Sequence, residues 1–121
     1  MIEINGPFYQ VRADGFTLTI PRWEGHAPED TPEADATITL PNGSRHYASF
    51  MTLDAVQQVM DRHRDTGECS SGAYFWTTDL IITRRPGIPA MVDAVADLIA
   101  TGDLTAACRA LDPEHDLDGD Q

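Results

Sequence analysis

The sequence predicts an α+β domain: an antiparallel sheet of about five to six strands with two to three helices packed on one face. Three observations lead there. The first half of the chain alternates apolar and polar residues in short runs separated by turn residues. The second half carries two helical patterns closed by glycines, and most strand runs are joined by connections too short for a crossover.

Residues 8–12 form a short mixed strand, and Asp14-Gly15 makes a hairpin turn. Phe16-Thr17-Leu18-Thr19-Ile20 alternates strictly, putting the apolar side chains on one face, and Pro21 ends the strand. Residues 22–35 hold Pro28 and Pro32 with no periodicity and read as a long loop, a length that in a small domain marks function or mobility. Ala36, Ile38 and Leu40 alternate with Thr37 and Thr39, Pro41-Asn42-Gly43-Ser44 turns the chain, and residues 46–50 return as the partner strand. Thr52 is the expected N-cap of a first helix with Leu53, Val56, Val59, Met60 and His63 on one face, stopped by Gly67.

The run from Ala73 to Arg85 is too long for one ordinary strand, so a bulge or tight turn is expected near Thr77 to Asp79. Leu80-Ile81-Ile82 is apolar on both faces and suggests a central strand covered on both sides, or on one side plus a partner, with Trp76 in the core. A second helix follows from Ile88, Met91, Val92, Val95, Leu98 and Ile99 and stops at Gly102. Asp103 caps a short third helix through Leu111. Residues 1–111 are therefore read as one domain and residues 112–121 as a loose acidic tail.

Charge sets the functional expectations. Twenty acids face eight arginines and no lysine, for a net charge of -12. A field of that sign repels nucleic acid, phosphorylated ligands and anionic membranes, and attracts basic partners. Half of the acids concentrate in two places: Glu24, Glu29, Asp30, Glu33 and Asp35 in the long loop, and five more in the last ten residues. No apolar stretch approaches the length of a membrane span. The start of the chain lacks a secretory pattern, so a cytoplasmic location with reduced Cys69 and Cys108 is expected. Arg62-His63-Arg64 and Arg84-Arg85 are the basic clusters, and each is read as a set of internal partners for carboxylates.

No cofactor or metal is expected. The phosphate and dinucleotide glycine motifs are absent, as is the serine-hydrolase elbow, and the missing lysine removes Schiff-base chemistry. The alternating acids of Asp116-Leu117-Asp118-Gly119-Asp120-Gln121 resemble the start of a calcium loop but lack its glycine at the sixth position. His46 reads as a packing residue, and nothing in the spacing of His46, His63 and Cys69 asks for zinc. Asp65 and Glu68 near Cys69 would raise a thiol pKa rather than activate it.

Tyr74-Phe75-Trp76-Thr77-Thr78-Asp79-Leu80-Ile81-Ile82, followed by Asp97-Leu98-Ile99-Ala100-Thr101-Gly102-Asp103-Leu104, resembles a pattern in small bacterial proteins of the toxin-immunity type. The resemblance covers roughly the C-terminal 40 residues and rests on mostly structural residues. It implies non-catalytic binding of a cognate toxin and identifies no binding residue. The first functional expectation is thus an acidic, non-enzymatic inhibitor of a basic protein partner, itself a monomer or homodimer. Trp23 is expected as the anchor and Glu24, Glu29, Asp30 and Glu33 as the charged rim. Two alternatives stand beside it: a small enzyme or ligand-binding domain with a site near His63, Cys69 and Asp79, and a homo-oligomer joined through Leu80 to Ile82.

Overall fold

Seven strands and four helical segments follow one another in the computed structural model, which describes residues 2–22 and 27–111. The strands are β1 (Ile2–Asn5), β2 (Phe8–Ala13), β3 (Phe16–Pro21), β4 (Glu33–Thr39), β5 (Arg45–Thr52), β6 (Leu80–Thr83) and β7 (Ala110–Leu111). Between and after them run α1 (Leu53–Thr66), the single turn α2 (Glu68–Gly72), α3 (Ile88–Thr101) and α4 (Leu104–Ala107). All strands belong to one sheet in the order β1-β2-β3-β4-β5-β6, with β7 also pairing with β5. Every pairing is antiparallel except β5 with β6, which α1 separates and which therefore run parallel. The α+β architecture read from the sequence is the one observed.

Registration explains the core. Val11 faces Leu18, Leu18 faces Ile38, Ile38 faces His46, and Ala34 faces Phe50. Residues directly opposite share a face, so one side of the sheet presents a continuous apolar row. Ile88, Met91 and Val95 of α3, with Leu104 and Cys108 beyond it, cover that row to form the main core. The reverse face carries Thr17, Thr19, Thr37 and Thr39 at half-exposed positions, as β-branched polar residues on a solvent side would be. Phe50 and Met51 are adjacent yet both buried, because they serve different layers. Phe50 enters the main core, whereas Met51 joins Ala55 and Val59 of α1 in a second cluster that also takes in Phe75 and Leu80.

The helix ends follow their local chemistry. The Thr52 hydroxyl accepts the Ala55 N–H at 3.1 Å, and Gly67 closes α1 at φ +86 with its N–H on the His63 carbonyl. Asp103 does not cap α4 with its side chain; its carboxylate accepts the Thr101 hydroxyl at 3.0 Å instead. Two expectations at the end of the sheet need correction. The tight turn expected near Thr77 to Asp79 is present at Thr78 and Asp79, but β6 is an edge strand and not a central one, with Ile82 48% exposed. Trp76 is not in the core but 66% exposed, because the neighbouring Phe75 takes the inward position.

β1 was not legible as a strand. Its four residues pair with β2 through the Gly6-Pro7 turn, and this places Ile2 and Ile4 on the same face as Tyr9 and Val11.

Candidate functional site

The acidic loop is held by the start of α3. The Gly87 N–H donates to the Thr31 carbonyl at 2.7 Å, and the Ile88 N–H donates to the Pro28 carbonyl at 2.8 Å. These are donors that a helix leaves without an intrahelical partner, and here loop carbonyls satisfy them in place of a capping side chain. Thr31 is buried and its hydroxyl donates to the Ala27 carbonyl at 3.0 Å, while the Asp30 N–H closes a turn on the same carbonyl at 2.9 Å. The loop from 27 to 32 is thereby pinned across the beginning of α3.

Pinning creates a groove. An open cleft of about 500 Å³ runs between β1 and β2 on one side and the first turns of α3 on the other. Ile2, Val11, Ile88, Pro89 and Val92 form its walls, and its charged lining residues, Glu29 and Asp93, are both carboxylates. Asp97 stands one turn further along α3, exposed, and α3 itself carries no cation. Arg84 and Arg85 lie on the neighbouring side of α3, where they line a second depression with Asp93.

The expected rim therefore divides. Glu29 is in the groove, Asp30 is exposed on the loop beside it, and Glu33 is exposed at the start of β4, opposite Met51. Trp23 and Glu24 lie outside the described residues, as do the tail acids. The residue missed by sequence reasoning is Asp93. Its signal was the pair Asp93 and Asp97, like charges four apart on one helix with no basic neighbour in sequence, an arrangement that weakens an isolated helix.

The residues of the enzyme alternative go to different partners. His63 Nε2 lies 3.6 Å from Glu68 Oε2 and its ring packs against Phe75 at 6.1 Å. Cys69 sits in α2, where Cys69, Ser70 and Ser71 all adopt left-handed backbone angles. The carboxylate of Asp79 accepts the Arg109 backbone N–H at 2.8 Å, and its second oxygen lies 3.3 Å from Arg109 Nε without the alignment of a hydrogen bond. None of these contacts links an imidazole to a thiol or to Asp79, so they supply no acid–base relay. Burial, aided by the charge of Asp79, pushes the Cys108 thiol up, away from thiolate chemistry. His46 is buried with Nδ1 3.3 Å from the Cys108 carbonyl, a packing role. Among the described residues no cluster of His, Cys, Asp and Glu could hold a metal ion, and no helix is long and apolar enough to cross a membrane.

A polar cluster occupies the reverse face of the sheet. The Tyr47 hydroxyl donates to Asp35 at 2.7 Å, and the Arg109 guanidinium lies 5.1 Å from the Tyr47 ring centre. Burial and the adjacent Asp35 carboxylate push the Tyr47 phenol up to about 12. A raised acid pKa means that the fold favours the neutral phenol. The stabilisation is fully present below the ordinary tyrosine value of about 10 and is lost as pH rises toward about 12. In an alkaline absorbance titration one of the three tyrosines is expected to ionise last, and Asp35→Asn to lower that midpoint. A titration that Tyr47→Phe leaves unchanged at its alkaline end contradicts this.

Searches against protein-family models, curated proteins and solved structures found no match to the chain.

Proposed function

We propose that the chain is a non-catalytic, acidic binding protein that captures a basic protein partner, in the manner of an immunity-type inhibitor neutralising a toxin domain. The observation that carries this reading is the groove beside α3, whose walls are apolar and whose charged lining is two carboxylates, Glu29 and Asp93. An apolar floor supplies contact area, and an acidic rim selects a cationic partner and speeds its approach. The net charge of -12 acts in the same direction at longer range.

The test is binding to the basic domain encoded beside the chain's own gene. Glu29→Lys with Asp93→Lys is expected to weaken that complex about 100-fold, with the wild-type association rate falling steeply as salt rises. A neighbouring gene without a basic domain, or a complex indifferent to the double reversal, rejects the reading.

A second reading, self-association through β6, draws on the exposure of Ile82 in that edge strand. Sedimentation at high protein concentration decides it: a monomer removes it, and a dimer dispersed by Ile82→Lys sustains it.

A further inference from the structure

We propose that the basic partner engages the groove by adding an extended segment to the outer edge of β1, unpaired among the described residues, with cationic side chains at alternate positions reaching Glu29 and Asp93. This rests on the basic-partner reading and specifies its geometry.

Among the described residues β1 pairs only with β2. Asn5 and Phe8 flank the two-residue turn, and antiparallel strands alternate hydrogen-bonded with non-bonded pairs from such a turn onward. The alternation directs the backbone N–H and C=O of Ile2 and Ile4 away from β2. Proteins usually block such an edge with proline, lysine or an inward-pointing charge. Ile2-Glu3-Ile4-Asn5 has none of these: its one charge, Glu3, is on the reverse face beside Arg12, and Ile4 is 63% exposed.

The position of this edge identifies what it accepts. An added strand would lie about 4.8 Å from β1, with its side chains alternating between the two faces. Those on the side of Ile2 and Ile4 point toward the mouth of the groove. There they meet apolar walls first and the carboxylates of Glu29 and Asp93 at the rim. Lysine and arginine satisfy both requirements, since an aliphatic stem packs on Ile2 and Val92 while the charged head stays at the wet rim. A purely apolar strand would leave the carboxylates unanswered, and an acidic one would be repelled. Four edge residues give few backbone bonds, so recognition depends on the groove as well as on the edge.

The probe is a ten-residue synthetic peptide alternating lysine and valine, titrated into the full-length chain with amide NMR and hydrogen exchange. Two control peptides accompany it: one with glutamate for lysine, and one N-methylated along the edge that would meet β1. The lysine peptide is expected to bind at least about tenfold tighter than the glutamate peptide, and N-methylation to cost at least about tenfold. Exchange of the Ile2 and Ile4 amides should slow on binding. Ile4→Pro should abolish binding while retaining the fold, because the N–H it removes faces away from β2. If the lysine peptide binds with Ile2 and Ile4 unprotected, or the N-methylated peptide binds equally, strand addition is overturned and the basic-partner reading survives. If lysine has no advantage over glutamate, both fall. No binding by the lysine peptide overturns strand addition.

Discussion

Gly87→Ala is expected to destabilise the fold by about 3 kcal/mol, a large share of the stability of a small domain. A Cβ at this position would lie 2.1 Å from the Glu29 carbonyl oxygen and 2.7 Å from its carbon, distances that no side chain tolerates. The backbone angles, φ +104 and ψ 152, belong to a region that is essentially glycine's alone and costs about 1–3 kcal/mol for another residue. To relieve the overlap the loop must retreat from α3, breaking the bonds from Gly87 to Thr31 and from Ile88 to Pro28, each worth about 1 kcal/mol. Gly43→Ala is the control. It also has a positive φ, +88, but nothing lies within 4 Å of its Cβ, so about 1 kcal/mol of backbone strain is all it should lose. Urea midpoints compare the two, and equal losses would show that the contact with Glu29 does not hold the loop. Because that contact forms one wall of the groove, Gly87→Ala should also weaken partner binding.

Phe50→Ala is expected to cost about 4 kcal/mol, the magnitude of deleting a large, fully enclosed aromatic side chain. Phe50 is 0% exposed and stands in β5 between Ala34 of β4 and Ile81 of β6, under the main layer formed by α3. Its strand neighbours are alanines at 34, 36 and 48, too small to close the space left behind. Phe8→Ala provides the contrast: Phe8 is on the reverse face and 39% exposed, so its loss should be within about 0.5 kcal/mol. Chemical unfolding of the two variants measures the difference, and similar losses would mean that the main core does not close over Phe50.

Much of the fold was legible because its signals are local. Strict alternation in Phe16-Thr17-Leu18-Thr19-Ile20 needs no partner to be read as a strand, and Thr52 and Gly67 mark the ends of α1 by their own chemistry. The candidate site was legible only in part. Glu29 was marked by the acid-rich loop, but its counterpart Asp93 lies 64 residues further along the chain. Nothing in either neighbourhood announces that they line one groove. Trp76 was misassigned because composition cannot say which of three adjacent aromatics turns inward; Phe75 does, beside Met51 and Val59. The left-handed turn at Cys69, Ser70 and Ser71 was equally unreadable. Each such residue costs about 1–2 kcal/mol locally, and the turn packs back on the preceding helix α1. Gly72 makes that contact: it packs so closely on the Met60 carbonyl that a Cβ would lie 2.1 Å away.

The sequence by itself determined the class of fold, the caps of α1, the apolar face of β3 and β4 and the strongly negative field, because period, caps and charge are properties of neighbouring residues or of the whole composition. Only the tertiary structure decided that β1 stands at one end of the strand order, that β6 stands at the other, and that a loop carboxylate and a helix carboxylate share one apolar groove. Those facts depend on strand order and on how the loop docks against α3. Strand order and docking are settled by the burial of one continuous core, which no local pattern in the chain records.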